Sequence, residues 1–379
     1  MRYADGARSP EDHAAADGSP GLLATDDATD TFLAGCGAVV GLDTEFMRER
    51  TFYPIAALYQ VAGDAGIGLV DACGDQSFDA LRRLVADPGV TKVMHACSED
   101  LEVIDTHLGV RPAGLVDTQV AHAFLAPEFA MSYAALVERY LGVALPKQQT
   151  RSNWLRRPLS EAQIEYARAD VAYLRQLWAH MRARLDEAGR LGWFEDEMAS
   201  VLGRAEADPE EYYLGMKRAW RMAPRQLAAL RRLSAWREAE ARRRDVPRAR
   251  TVRDEHLVTL AEARSPSRAL VFRLLPKGIA RRYADDLLRA HAEGLEDDAP
   301  PVPEPPLSPR EGGVVKAMRD FARSRAEALG IAPELLARRR VLEACVRHFR
   351  DYRELPGSLR WRLELVGERF SELLRAGLR

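Results

Sequence analysis

The chain has 379 residues, of which 47% are hydrophobic and 30% are charged, and its formal net charge is −2 at pH 7. This length allows two or three domains, and no apolar run approaches the roughly 20 residues of a membrane-spanning helix. The cysteines Cys36, Cys73, Cys97 and Cys345 form no CxxC pair, which excludes a zinc ribbon and a disulfide scaffold. Because no apolar signal core is present near the N-terminus, we expect a cytoplasmic protein.

The first half of the chain combines strand and helix patterns. Residues 1–20 are rich in Asp and are predicted to be a disordered acidic tail. Short apolar runs in the following segment, 21–200, predict strands at 38–43, 55–61, 66–71, 91–95 and 115–117. Helical patterns lie between and after them, at 78–85, 98–107, 118–124, 132–141 and 160–188. This mixture predicts an α/β domain with a mixed sheet.

The second half of the chain contains only helical patterns. Four of them, at 222–244, 253–261, 267–274 and 279–291, predict a small all-α domain over 213–294, in which Lys and Arg outnumber Asp and Glu. This basic excess fits either contacts with nucleic-acid phosphates or solvated helix faces. The Pro-rich segment 295–312 is predicted to be a linker. Helical patterns at 314–329, 333–349 and 356–378 predict a further helical domain over 313–379.

Two carboxylates end the first predicted strand. Asp43 and Glu45 stand one residue apart after the apolar run VVGL, and alternate residues of a strand point to the same side. Two like charges held close are costly unless a cation joins them, and oxygen ligands suit Mg²⁺ or Mn²⁺. Considered alone, such a pair is more often an ordinary strand end, with Asp43 ending the strand and Glu45 in water.

Two further acidic positions have a similar context. Asp100 lies in the first turn of a predicted helix that follows the strand KVMH, where it could cap the helix or reach across the strand ends. Tyr166 and Asp170 stand four residues apart on a predicted helix, so that they share one face beside an apolar stripe. Each could also be an ordinary residue of a solvated helix.

Together these segments resemble the exonuclease motifs of the DEDD superfamily. Tyr166 before Asp170 is typical of its tyrosine branch, whereas the histidine branch would need His where this chain has Glu165. The stretches DTEFMRERTFYPIAALYQV, HACSEDLEVI, VDTQVAHAFL and WLRRPLSEAQIEYARADVAYL are similar to those of the bacterial ribonuclease D family, over about residues 41–177. The resemblance implies an RNase H-like α/β exonuclease domain with a mixed sheet.

The helical second half also carries a resemblance. The stretch MAPRQLAALRRLSAWREAEARRRDVPRARTV resembles the start of an HRDC domain, which the ribonuclease D family shares with RecQ-type helicases. The block 313–379 is similar in size and helix count, so it is predicted to be a second, divergent HRDC-like domain. The resemblance therefore implies one or two small all-α domains after the exonuclease domain.

The resemblance implies a metal-dependent 3′→5′ exoribonuclease. Asp43, Glu45, Asp100 and Asp170 would hold two Mg²⁺ or Mn²⁺ ions, which activate a water and stabilise the leaving 3′ oxygen. Tyr166 would position that water, because a phenol with a pKa of about 10 is a poor base at neutral pH. The products would be nucleoside 5′-monophosphates and the substrates RNA 3′ ends, with tRNA precursors implied by the family. We expect a monomer with no obligate protein partner.

Polar and aromatic side chains flank the motifs and are predicted to bind substrate, since aromatic rings can stack on a terminal base and cations can bind phosphate. They are Phe52, Tyr53, Gln60, Lys147, Gln148, Trp154 and Arg157. Trp154 could equally belong to the core.

Two other functions remain open at this point. The same acids occur in 3′→5′ DNA exonucleases, and an RNA-binding scaffold without catalysis would also keep the fold. The scaffold should lack one of the carboxylates, and this chain has all four.

Overall fold

The computed structural model describes residues 21–145, 152–203 and 208–378. Contacts between residues divide them into two compact units. The first unit contains residues 21–47, Ile55–Gly203 and 308–378, and the second contains Arg48–Pro54 and 208–307. The predicted acidic tail, 1–20, lies outside the described residues.

A six-stranded mixed sheet forms the centre of the first unit. The strands are β1 (Leu22–Leu23), β2 (Val39–Met47), β3 (Ile55–Gly63), β4 (Gly66–Asp71), β5 (Thr91–Met94) and β6 (Leu115–Asp117). Their order is β1-β4-β3-β2-β5-β6. β3 runs antiparallel to β2 and β4, whereas the other neighbouring pairs are parallel. The mixed sheet confirms the predicted fold class.

The described residues from 21 to 203 also contain eight helices of this unit. They are α1 (Asp26–Ala34), α2 (Asp79–Ala86), α3 (Ser98–Leu108), α4 (Thr118–Ala123), α5 (Tyr133–Leu141), α6 (Glu161–Ala172), α7 (Leu174–Glu187) and α8 (Leu191–Leu202). Sequence patterns did not predict α1, because its acidic first turn resembles the preceding tail. Those acids favour a helix N-terminus, which Thr25 caps by accepting a hydrogen bond from the Ala28 amide.

The helix predicted at 160–188 is instead two helices that meet at Tyr173. The backbone amide of Tyr173 donates to the hydroxyl of Tyr133, over 3.0 Å. This bond replaces the one that an uninterrupted helix would make to its own carbonyl four residues earlier. The break therefore depends on a residue 40 positions away, which local periodicity could not reveal.

The second unit is a helical module. Its helices are α9 (Pro224–Arg243), α10 (Arg248–Thr251), α11 (Asp254–Glu262), α12 (Arg268–Leu274) and α13 (Lys277–Glu296). The apolar stripe of α9, including Leu227, Leu230 and Leu233, is buried in one core with Leu257 and Leu287. The predicted linker lies largely between helices, since α13 ends at Glu296 and the next helix begins at Pro309.

The C-terminal block consists of α14 (Pro309–Leu329), α15 (Glu334–Ala337), α16 (Arg339–Tyr352) and α17 (Arg362–Gly377). Contacts group it with the residues of the mixed-sheet unit, whereas we expected a separate domain at 313–379. Arg362 of this block forms a buried ion pair with Glu197 of α8, over 2.6 Å, and Trp361 packs against Phe124. Its HRDC-like character stays a prediction.

Candidate active site

Strand β2 presents Asp43 and Glu45 on one face. In the pairing with β3 they lie opposite Gln60 and Leu58, and the register shifts immediately after Glu45. Gly41 lies on the same face, where a Cβ atom would come within 3.1 Å of both Leu174 Cβ and the Val171 carbonyl oxygen. The missing side chain at Gly41 therefore lets α6 and α7 approach the face that carries the two acids.

Helix α6 supplies Tyr166 and Asp170. Its N-terminus is fixed by a capping box in which Ser160 and Gln163 bond each other's backbone amides. The buried residues Ala167 and Val171 anchor the helix, and the Tyr166 hydroxyl is hydrogen-bonded to the Asp170 carboxylate. The predicted spacing thus places both side chains on one face of a well-capped helix.

Asp100 approaches from the other face of the sheet. It lies in the first turn of α3 and is 8% exposed. Thr44, whose side chain points away from Asp43 and Glu45 in the alternation of β2, donates its hydroxyl hydrogen bond to Asp100 Oδ1. This bond joins the second acidic segment to the first.

The four carboxylates lie close enough to perturb one another. Burial, followed by the charges of Asp100, Asp170 and Glu45, raises the pKa of Asp43 well above its ordinary value. Burial and the charges of Asp170 and Asp100 raise the pKa of Glu45 to about 8, against a hydrogen bond from Trp154. Burial also raises the pKa values of Asp100 and Asp170 to about 6. This arrangement concentrates negative charge in a poorly solvated place.

The donor set fits a divalent cation of the hard class, because all four groups are carboxylates. Within residues 21–145, 152–203 and 208–378, however, no three His, Cys, Asp or Glu side chains converge as a ready-made metal-binding group. Like charges repel one another, and Thr44 engages one oxygen of Asp100. A cation would compensate the repulsion that raises these pKa values, so the residues fit a metal although they do not form a closed cage by themselves.

A cavity of about 420 Å³ opens beside Asp43, Tyr166 and Asp170. Its other walls contain His95, Ala96, Gln119, Ala130, Met131, Ser132, Tyr133 and Leu174. None of these residues was predicted from the sequence to bind substrate. Several of them lie directly after β5 or at the starts of α4 and α5. Their positions near the carboxyl ends of neighbouring strands, where ligands often bind, could have indicated them in the sequence.

Trp154 and Arg157 occupy fixed places beside this site. Trp154 is 6% exposed and belongs to a core cluster with Ala57 and Leu58. Its ring centroid lies 5.9 Å from that of Tyr166. Arg157 donates from Nε to Asp71 Oδ2 over 2.9 Å and from Nη2 to the Ala57 carbonyl. Both side chains hold the segment before α6 in place. The predicted contact of Arg157 with RNA phosphate would compete with its ion pair to Asp71.

The remaining predicted substrate residues differ in their surroundings. Phe52 and Tyr53 belong to the second unit, where both backbone amides donate to Asp245 Oδ1 over 2.9 Å. The ring of Phe52 is buried, with the guanidinium of Arg248 4.7 Å from its centroid, which leaves no free face for a base.

Gln60 is fully buried on β3, and its side-chain amide atoms have no hydrogen-bond partner among the described residues. It lies opposite Asp43 in the strand register, so it underlies the acidic pair and is not exposed to RNA. Lys147 and Gln148 lie outside the described residues.

Comparisons with known proteins agree with this geometry. The model of the 3′-5′ exonuclease family matches residues 25–186, and the HRDC domain model matches residues 226–290. Ribonuclease D of Pseudomonas paraeruginosa is 41% identical over 340 residues, which cover 87% of this chain and 90% of that protein. Ribonuclease D of Escherichia coli K12 is 34% identical over 93% of this chain and 98% of its own length.

A solved structure extends the likeness to three dimensions. The crystal structure of Escherichia coli RNase D, described as an exoribonuclease involved in structured RNA processing, superposes with a TM-score of 0.85 at 33% identity. The match covers 94% of this chain and 98% of that chain. It therefore includes the sheet, the helical module and the C-terminal block.

Proposed function

Because this chain belongs to the ribonuclease D family of 3′→5′ exoribonucleases, we propose that Asp43, Glu45, Asp100 and Asp170 hold two divalent ions, Mg²⁺ or Mn²⁺, during RNA trimming. The observation that carries this proposal is the convergence of these acids beside one cavity, where burial and the charges of their neighbours raise the pKa values of Asp43 and Glu45. Such a cluster gains most when cations enter it.

The bound ions would supply acidity to the attacking water and charge stabilisation to the leaving 3′ oxygen. Tyr166 orients the water and does not deprotonate it, because burial and the neighbouring Asp170 raise the pKa of its phenol. The hydrogen bond between the two side chains fixes the direction of the hydroxyl. The indole of Trp154 similarly restrains Glu45.

The cavity also bears on the product. Small-ligand sites are typically about 300–1,000 Å³, and the volume here, about 420 Å³, suits one terminal nucleotide. We propose that the enzyme releases nucleoside 5′-monophosphates from the 3′ end at this site, as the resemblance to the family implies. His95, Gln119 and Ser132 line it and would contact the sugar or base of that nucleotide.

The substrate class rests on the relatives. Ribonuclease D enzymes act on RNA, and we propose precursor tRNA 3′ ends as the substrates, bound partly by the Arg-rich helical module. No helix in the described part of the chain is long and apolar enough to cross a membrane. We further propose a monomer working in the cytoplasm, where its four cysteines, which are free in the structure, would stay reduced.

A comparison of two substrates tests the proposal. RNA and single-stranded DNA of the same sequence, each labelled at the 5′ end, are incubated with the enzyme in Mg²⁺, in Mn²⁺ and in EDTA. We expect stepwise shortening of RNA from its 3′ end in metal and none in EDTA. Preferential shortening of DNA would support a DNA exonuclease, and binding without shortening would support a scaffold.

A further inference from the structure

The turn that leads from β5 to Asp100 has an unusual backbone. Ala96 has φ of 53°, a left-handed conformation that a residue with a side chain rarely adopts. Cys97 follows as the N-cap residue of α3, and its side chain makes no capping hydrogen bond to that helix. The conformation of this turn decides where α3 begins and hence where Asp100 points, so some other group must hold it.

Asp117 provides those contacts. It is 6% exposed at the end of β6, beside the end of β5 in the strand register. Its Oδ1 accepts from the Ala96 amide over 3.0 Å and from the Gln119 amide over 2.8 Å. Its Oδ2 accepts from the Cys97 amide over 3.1 Å and from the Cys97 thiol over 3.4 Å. One buried carboxylate thus fixes two consecutive amides of the turn.

The next residue extends the same support. Thr118 Oγ1 lies 2.9 Å from His95 Nδ1 and donates to the Met94 carbonyl over 3.1 Å. The start of α4 therefore holds the chain on both sides of Ala96. His95 and Gln119 line the cavity beside Asp43, so this support reaches a wall of the site as well as Asp100.

We propose that Asp117 is a positioning residue for catalysis, which holds the β5–α3 turn in its left-handed conformation and thereby directs Asp100 toward the metal site. The inference rests on the proposed role of Asp100. Asp117 itself is engaged by backbone amides through both oxygens and does not ligate metal. It acts on the arrangement of the ligands, and RNA binding outside the site does not depend on it.

The test begins with Asp117→Ala, measured by kcat, by KM for a short RNA and by Mn²⁺ affinity in titration calorimetry. Loss of a group that orients a metal ligand typically costs roughly 10- to 100-fold in activity or metal affinity. We expect losses of that size in kcat and in Mn²⁺ affinity, and a smaller rise in KM for RNA, because His95 and Gln119 also line the cavity. Asp117→Asn, which keeps one carbonyl acceptor, should lose less.

A second substitution separates positioning from general destabilisation. In Asp117→Ala combined with Ala96→Gly, glycine lowers the cost of the left-handed turn. We expect kcat and Mn²⁺ affinity of this double variant to be about fivefold higher than those of Asp117→Ala. A factor of this size corresponds to the strain that a non-glycine residue has in the left-handed conformation and that glycine does not have. Asp87→Ala is the matched control, because Asp87 also accepts an amide bond, from Gly89 over 2.8 Å, but in an exposed turn before β5.

The outcomes are distinguishable. Equal kcat and Mn²⁺ affinity in wild type and Asp117→Ala, or no recovery with Ala96→Gly, would overturn the inference. If Asp117→Ala unfolds below the assay temperature, kcat and Mn²⁺ affinity are compared between Asp117→Asn and the double variant Asp117→Asn with Ala96→Gly. No recovery in that double variant would then overturn the inference. Asp100→Asn is measured in parallel, since full activity of that variant would refute the proposed metal site itself, independently of Asp117.

Discussion

Buried carboxylates are arranged in opposite ways in the two units of this protein. In the exonuclease unit, Asp43 is surrounded by three further acids that raise its pKa. In the helical module, Glu238 is fully buried but lies 2.6 Å from Arg248 Nε and 3.4 Å from Arg237 Nη2. A paired charge serves the fold, whereas a like-charged cluster costs stability and is expected where a cationic ligand binds.

The largest expected effect concerns catalysis at the like-charged cluster. Asp170→Asn removes one charge and one proposed metal ligand and should lower the rate of RNA shortening by about 10³-fold, the order seen when a group stabilising the transition state is lost. Glu165→Gln is the matched control, because Glu165 is exposed on the same helix. Gel assays with 5′-labelled RNA measure both, and normal trimming by Asp170→Asn would contradict the site assignment.

Stability should respond in opposite directions to removal of a carboxylate from each unit. Glu238→Ala removes the buried carboxylate shared by Arg237 and Arg248 and should destabilise the protein by about 3 kcal/mol, the lower end of the range for a broken buried pair, because Arg237 keeps Asp254 as a partner. Asp43→Asn relieves repulsion and should raise the free energy of unfolding of the metal-free protein. Denaturant titration in EDTA measures both, and destabilisation of similar size by the two variants would remove the contrast.

A smaller effect is expected from the tyrosine. Tyr166→Phe keeps the ring that packs near Trp154 but removes the hydroxyl bonded to Asp170. Activity should fall by about 10- to 100-fold, at the lower end of what positioned proton-handling groups contribute. Mn²⁺ affinity and melting temperature should change little. Steady-state kinetics with calorimetry measure these quantities, and an unchanged kcat would eliminate the positioning role.

The smallest effect is a pH dependence of stability without metal. Glu45 has a folded-state pKa of about 8, and Asp100 and Asp170 have values of about 6, all above the unfolded values of about 4. The folded state therefore binds more protons, and this contribution to stability is full below pH 4 and is lost as pH rises through 6 to 8.

Melting curves in EDTA at pH 5.5 and 8 test this dependence, with Asp43→Asn for comparison. The melting temperature of the wild type should fall more steeply with pH than that of the variant, by about 2–4 °C for each kcal/mol of difference. Saturating Mn²⁺ should reduce the difference. Parallel pH profiles in EDTA would contradict the mutual repulsion of the carboxylates.

Local sequence patterns predicted much of the fold and which of the acidic side chains share a face. Strand alternation put Asp43 and Glu45 on one face, and helical spacing put Tyr166 beside Asp170, because both relations depend only on neighbouring residues. The structure places these side chains as the spacing required.

Relations between distant residues were not accessible in this way. The break at Tyr173 depends on the hydroxyl of Tyr133, and the packing of the C-terminal block depends on Glu197 and Arg362. Phe52 was predicted to stack on a base because it is an aromatic residue near a motif. Its ring lies beside Arg248 in the helical module. Such partners are separated by tens to hundreds of positions and leave no periodic signal.

The most direct test of the account is anomalous diffraction from a crystal of the protein soaked in Mn²⁺. We predict two peaks bounded by the carboxylates of Asp43, Glu45, Asp100 and Asp170, with Asp100 in reach of one of them. A map without peaks there, in crystals that hold Mn²⁺ elsewhere, would contradict the claim that this repelling cluster exists to bind cations.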